Sequence, residues 1–557
     1  MDTKKLSPIG RFWLLLKPDK LEIRNLYLYA IIIGLLNLVL PIGIQSIINL
    51  IQGGAVNTSW LVLIALVAGA ISLSGIMQIN QLRITENLQQ KIFTRAAFEF
   101  TYRVPKIRLE ELFKQYAPEL MNRFFDIISI QKGITKILLD FSSSSIQILF
   151  GLVLLSLYHP FFIVFSLLLI ILIVSIFWFT MKSGMKTSLI ESKHKYVIAH
   201  WLEEIARSNI SFKLSGKSDL TLNRTNNHAI DYNESRENHF SILRFQYGMM
   251  VVFKVLVAVG LLLIGGLLVI DQQMNIGQFV AAEIVILLIV NSVEKAILSF
   301  ETIYDVLTSL EKVGQVTDMP LEKDGGIKLE ESAKGIELGI NNISYNYPQE
   351  QKLALKNLSL SIKASERVFF TGRSDSGKST LLYLVSGLLS PNSGSITIED
   401  IPINNFDFDQ LRGHIGGYLR DETLFEGTLL ENITLGREKA TLENVKWAIN
   451  AVGLSSLVTQ LPEGYEARIL PLGKQFSKST VSKILIARAI VDKPRLLLLE
   501  NSFSMFSPDD RTRLLKFLLD RDHKWTVLIS SSQPIDLPDL IDRKVVLENG
   551  EIISLKP

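Results

Sequence analysis

Apolar residues dominate six long stretches in the first 300 positions, and after those a mixed polar pattern takes over. The stretches are 26–51, 60–79, 138–157, 161–179, 247–270 and 279–297. Each approaches or exceeds the ~20 apolar residues with which a helix crosses a hydrocarbon layer of ~30 Å. The pattern therefore predicts six membrane-spanning helices. Pro41, inside the first, predicts a kink or an opening toward the outer face, because proline cannot donate to the helical ladder. Between and beyond the spans, 82–100 and 195–210 keep regular apolar positions on otherwise polar helices. Membrane helices that run on past the bilayer are expected there. A short amphipathic piece near the turn of each long connector, 109–114 and 202–206, is suited to docking on a soluble domain, the second equally to a solvated helical corner.

Charge orients this arrangement. The connectors 52–59, 158–160 and 271–278 hold no Lys or Arg, whereas ten basic residues lie between Arg83 and Lys136 and ten between Lys182 and Arg244. By the positive-inside rule both long connectors and both termini are cytoplasmic. Lys254 and Glu283 fall within spans, where each is either part of a polar pathway or an end residue reaching for the interface. Of 557 residues 48% are hydrophobic, and mean hydropathy is +0.28, as expected of a membrane half joined to a soluble half. A net charge of +3 with no basic tract gives no basis for nucleic-acid binding. Cysteine is absent, which excludes disulfides and thiolate metal sites. No short apolar core with a cleavage site follows the polar first 20 residues, so no cleavable signal peptide is expected. From 311 to 335 the chain is polar, with Pro320 and Gly325-Gly326, and a linker is expected there between a domain at 1–310 and another at 336–557.

The second domain opens with strand-like runs at 340–345, 355–362 and 366–371. Then comes Gly372-Arg373-Ser374-Asp375-Ser376-Gly377-Lys378-Ser379, followed by Thr380 and an apolar helical pattern. Every fixed position of the phosphate-binding pattern G-x-x-x-x-G-K-[ST] is present, between a strand and a helix as its chemistry requires. Backbone N–H groups and the helix N-terminus lower the energy of clustered phosphate charge. Lys378 is placed for the β- and γ-phosphates, and the Ser379 hydroxyl for Mg²⁺. Binding of a nucleoside triphosphate is the expectation.

From here the chain resembles the nucleotide-binding domain of ATP-binding cassette (ABC) transporters, and with six spans in front it resembles an exporter-type half-transporter. The resemblance implies an α-helical transmembrane domain followed by an α/β P-loop cassette, with ATP and Mg²⁺ as cofactors. It maps the adenine-stacking aromatic onto Tyr347. The signature loop falls on Phe476-Ser477-Lys478-Ser479-Thr480, whose Ser477 caps ATP held by a second subunit. Two acids near the γ-phosphate correspond to Glu500, which could support Mg²⁺ through water, and Asn501.

Departures from the family pattern gather at the reaction residues. Arg420 stands where the family's glutamine contacts Mg²⁺, and a cation cannot ligate that ion. Asn501 replaces the general base and has no oxygen of useful pKa to take a proton from water. Ser532 occupies the position of the switch histidine. Lys478 and Ser479 replace two glycines that let backbone approach phosphate closely.

The expected protein is an ATP-binding exporter subunit in the cell's inner membrane, with its cassette in the cytoplasm and a second half-transporter, identical or different, as partner. Crossed membrane helices at that interface and a periplasmic adaptor belong to what the resemblance implies. Two alternatives stand beside this reading: a slow homodimeric exporter, and a non-hydrolysing, ATP-gated or scaffold subunit that regulates an active partner. The substrate is not legible.

Overall fold

The computed structural model describes residues 6–54, 58–500, 503, 505–532 and 538–556. The chain divides into two compact units. One comprises 1–105 and 116–319, and the other 106–115 and 320–557.

The first unit is helical. Among the described residues it contains six helical stretches long and apolar enough to cross a membrane: Pro8–Gln52, Thr58–Lys106, Ala117–Tyr158, Phe161–Arg207, Leu220–Ile270 and Ile276–Thr317. The six apolar stretches of the sequence fall one in each. At 1.5 Å per residue, the 51-residue helix Leu220–Ile270 extends about 77 Å, more than twice the hydrocarbon thickness. It therefore continues beyond the bilayer, as the polar pattern flanking its apolar stretch required.

The first stretch is broken. One helix ends at Asn37 and the next starts at Val39, and Pro41 in its first turn leaves the Asn37 carbonyl without its ladder donor. The break is held by polar contacts. Asn37 Nδ2 donates to Gln147 Oε1 at 3.1 Å, and Ser74 Oγ donates to Asn37 Oδ1 at 3.2 Å. The piece 202–206 does not form its own turn. Nothing interrupts the helix Phe161–Arg207 before Ser208, and the separate short helix is Asn209–Leu214 instead. Lys254 in the fifth stretch pairs with Glu294 in the sixth at 2.5 Å, so its charge is answered inside the helical unit. Glu283 lies exposed on the sixth helix.

The second unit is built on a six-stranded sheet. Its order is Glu551–Lys556, Arg543–Glu548, Arg367–Thr371, Thr526–Ser530, Leu496–Glu500 and Ile415–Tyr418, all parallel neighbours except the antiparallel first pair. Strand side chains alternate between faces, and here both faces are covered. Leu496 and Leu498 enter the same core as Val368, Phe370 and Leu528, whereas Leu497 and Leu499 join Phe369, Val527 and Ile529 on the other side. This explains a run of four leucines that looks unpatterned in sequence. A four-stranded antiparallel sheet, with Leu355–Ile362 at one edge and Leu338–Tyr345 beside it, closes the first core. The helix Lys478–Ile490 packs in the second.

Candidate functional site

The phosphate loop leaves the end of the strand Arg367–Thr371 and enters the helix Lys378–Val385. Two glycines are required by geometry. Gly372 has φ +150°, and a Cβ there would sit 2.1 Å from the Leu547 carbonyl oxygen. Gly377 has φ +95°, and its Cβ would lie 2.5 Å from the Ala354 oxygen. Any side chain at either place would push the loop off the sheet. Arg373, Ser374 and Asp375 form the exposed rim, and Ser376, Lys378 and Thr380 are buried beneath it.

Lys378 lies across the loop. Its ammonium donates to the carbonyls of Gly372 (3.0 Å) and Arg373 (2.7 Å) and to Ser376 Oγ (3.0 Å). Burial pulls its pKa down, and the nearby Asp375 and Glu500 carboxylates oppose that shift. The neighbouring Ser379 hydroxyl donates to Glu500 Oε1, while Glu500 Oε2 accepts the Arg420 backbone N–H at 3.0 Å. Glu500 ends the neighbouring parallel strand but one, so the sheet itself sets its carboxylate beside the loop.

Tyr347 is half-buried, with its hydroxyl 3.0 Å from Thr380 Oγ1 and its ring edge-on to Tyr345. Thus Tyr347, the phosphate loop, Thr380, Glu500 and the Arg420 backbone come together. The Arg420 side chain is exposed. Ser532 is exposed just past the strand Thr526–Ser530. Ser477 caps the helix Lys478–Ile490, accepting from Thr480 N at 3.2 Å, and its hydroxyl also meets those of Ser479 and Thr480 in the same turn. Asn501 lies outside the described residues.

The donor set fits a magnesium-bound triphosphate. A cradle without side chains, a buried ammonium now spent on backbone carbonyls, and a hydroxyl–carboxylate pair beside it are the groups such a ligand needs. Among the described residues no cluster of three or more His, Cys, Asp or Glu could hold a metal ion on its own.

Several participants were not singled out in the sequence. Tyr383 donates to Asp421 Oδ2 at 2.9 Å. Buried Arg488, in the helix that Ser477 caps, donates to the Asn432 carbonyl at 2.7 Å and the Thr423 carbonyl at 3.1 Å. Asn432 in turn accepts from Phe425 N and donates to its oxygen, at 3.1 and 2.9 Å. These bonds fasten the segment after Arg420 to the helix Lys478–Ile490. The Ala487-Arg488-Ala489 run was the available signal, since a lone arginine amid buried small residues needs several acceptors.

Comparison with known proteins agrees with this architecture. The ABC transporter family matches residues 355–504, and the ABC transporter transmembrane region matches residues 25–293. The uncharacterized ABC transporter ATP-binding protein YfiB of Bacillus subtilis is 34% identical over 213 residues, 38% of this chain and 37% of that protein. The putative multidrug export ATP-binding/permease protein YgaD of the same organism is 29% identical over 52% of this chain and 50% of its own length. The matched regions thus span half or less of these relatives. The lactococcin-A transport/processing ATP-binding protein LcnC of Lactococcus lactis is 24% identical over 99% of this chain and 76% of its own. A solved structure of a bacterial Atm1-family ABC exporter with ATP bound superposes with a TM-score of 0.81 at 18% identity, covering 96% of this chain and 95% of that one. A multi-pass helical unit of this fold followed by a cassette with an intact phosphate loop identifies the chain as a member of the ABC transporters, with the exporter fold.

Proposed function

We propose that this chain is the ATP-binding subunit of an exporter, which uses ATP binding, and hydrolysis in at least one site of a dimer, to move a substrate outward across the membrane. One observation carries the reading: a phosphate loop with Lys378, Ser379 and Glu500 converging is built into the same chain as six membrane-crossing helices. Lys378 exchanges its loop carbonyls for β- and γ-phosphate oxygens, Ser379 holds Mg²⁺, and Glu500 supports it through water. Tyr347 stacks on the purine. Bound MgATP supplies the transferable phosphoryl group and the driving energy.

The partner is a second half-transporter, whose phosphate loop is capped by Ser477 of this chain. Both long basic connectors and the cassette face the cytoplasm. A second reading, a regulatory subunit that binds ATP without splitting it, is favoured by the positions of Arg420 and Ser532. Arg420 meets Glu500 through its backbone N–H, and neither side chain supplies a base.

The deciding experiment is steady-state phosphate release from the full chain in lipid, alone and with a partner half that carries an Asp–Glu pair. Loss of one positioned base costs about 10²–10⁴ in rate, so turnover of the chain alone is expected to be very slow and to rise with the partner. Release that rises with the partner half while no substrate crosses the bilayer supports the regulatory reading. Turnover of several per second from the chain alone, abolished in Lys378→Ala but unchanged in Asn501→Ala, would show that another group activates the water.

A further inference from the structure

Residues 106–115 belong to the nucleotide-binding unit although they lie between two helices of the membrane unit in sequence. The segment is fastened at several points. Ile107 bridges Leu321 in an antiparallel pair, closed by Arg108 N to the Pro320 carbonyl (3.1 Å) and Glu322 N to the Lys106 carbonyl (2.8 Å). Lys106 Nζ reaches Asp324 at 2.9 Å and Asp409 at 3.5 Å. Leu109 packs on the core beneath the antiparallel sheet, and Glu110 Oε1 accepts the Ser390 N–H at 3.0 Å.

The end of this segment reaches the nucleotide site. The Phe113 ring stands edge-on to Tyr347, with centroids 5.3 Å apart and planes at 77°. Tyr345 makes the same kind of contact, at 5.3 Å and 84°. The Tyr347 hydroxyl is fixed by Thr380. Tyr347 is therefore held at its hydroxyl and by two aromatic neighbours. Tyr345 is built into the sheet, but Phe113, 42% exposed, arrives on the inserted segment. Edge-to-face pairs of this kind contribute beyond their buried area because a ring's positive edge meets a negative face.

We propose that Phe113 is a positioning residue for the purine-stacking ring: it fixes the orientation of Tyr347 and so sets affinity for the base without touching the phosphates. The inference rests on the reading that Tyr347 stacks on the purine.

The test compares two probes on the full chain in lipid nanodiscs, MgATP and magnesium tripolyphosphate, by titration calorimetry. Phe113→Ala is expected to weaken MgATP about three- to tenfold and to leave tripolyphosphate unchanged. Phe113→Tyr, which keeps the ring, should restore wild-type binding. Phe113→Ala combined with Tyr347→Ala should bind MgATP no more weakly than Tyr347→Ala alone, since both remove the same contribution. Phe113→Leu keeps apolar bulk and guards against a folding defect; it should behave as Phe113→Ala. Equal weakening of both probes in Phe113→Ala and Phe113→Leu would reduce Phe113 to a structural contact and overturn the proposal. So would unchanged MgATP binding in both variants while Tyr347→Ala weakens it. If Tyr347→Ala itself leaves MgATP affinity unchanged, the stacking reading fails, and the proposal fails with it.

Discussion

Lys378 spends its ammonium on two backbone carbonyls and a serine hydroxyl, all within its own loop. These are neutral acceptors, and a triphosphate offers charged ones in the same place, so the exchange favours the ligand. Removing the ammonium leaves the glycine cradle intact but takes away the main side-chain cation. Lys378→Ala is expected to cost roughly 2–4 kcal/mol of MgATP binding, by analogy with truncating one partner of a buried charge pair. Equilibrium binding to the full chain checks it, and equal affinities would remove the assignment. Asn432 allows a second test at this scale. Fully buried, it accepts from Phe425 N and Arg488 Nη2 and donates to the Phe425 and Thr428 carbonyls. Asn432→Ala strands those groups, and a destabilisation of about 1–3 kcal/mol is expected in chemical denaturation followed at the cassette.

Helix-to-helix contact in the membrane unit depends on small residues where elements cross closely. A Cβ on Gly184 would lie 2.3 Å from the Tyr304 ring, whereas one on Gly75 would meet nothing within 4 Å. Both are helix-interior glycines, so alanine has the same intrinsic preference at each. Gly184→Ala is expected to destabilise by roughly 1–3 kcal/mol through overpacking. Gly75→Ala is expected to be neutral or stabilising, by up to about 1 kcal/mol. Thermal unfolding of the two variants in the same detergent tests the contrast, and a similar loss in both would contradict it. The same reasoning covers the break at Leu38. Pro41 announces it in sequence, but its place and its Asn37–Gln147–Ser74 tether depend on which helices lie alongside.

For the whole molecule, topology is the property with the plainest test. The three connectors without Lys or Arg are expected outside and the two basic ones inside. A tag inserted beside Gly54 or Gln273 should be reached by impermeant reagents on intact cells, and one beside Lys217 should not. External labelling at Lys217 would overturn the orientation. The unit boundaries matter here too, because 106–115 is bounded by membrane helices in sequence and yet folds with the cassette. A cassette severed at the linker alone would lose Leu109 and Phe113.

Local chemistry was legible from the residues alone. Six spans could be read because each backbone polar group in a bilayer must be satisfied within its own helix, which forces long uninterrupted apolar runs. The phosphate loop could be read because its glycines, lysine and serine act within eight consecutive residues. The strand and helix beside it were similarly local. What required the tertiary structure was every relation between distant segments. The run Leu496–Leu499 does not say which leucine faces which core until the sheet has a layer on each side. Glu500 meets Ser379 and the Arg420 backbone N–H because strand order places them there. Phe113 reads as one apolar position of a short amphipathic piece, and only folding sets it against Tyr347, more than two hundred residues away in the chain. Periodicity and short motifs record what a segment needs from its surroundings, whereas the identity of the neighbour that meets the need is fixed by how the elements pack.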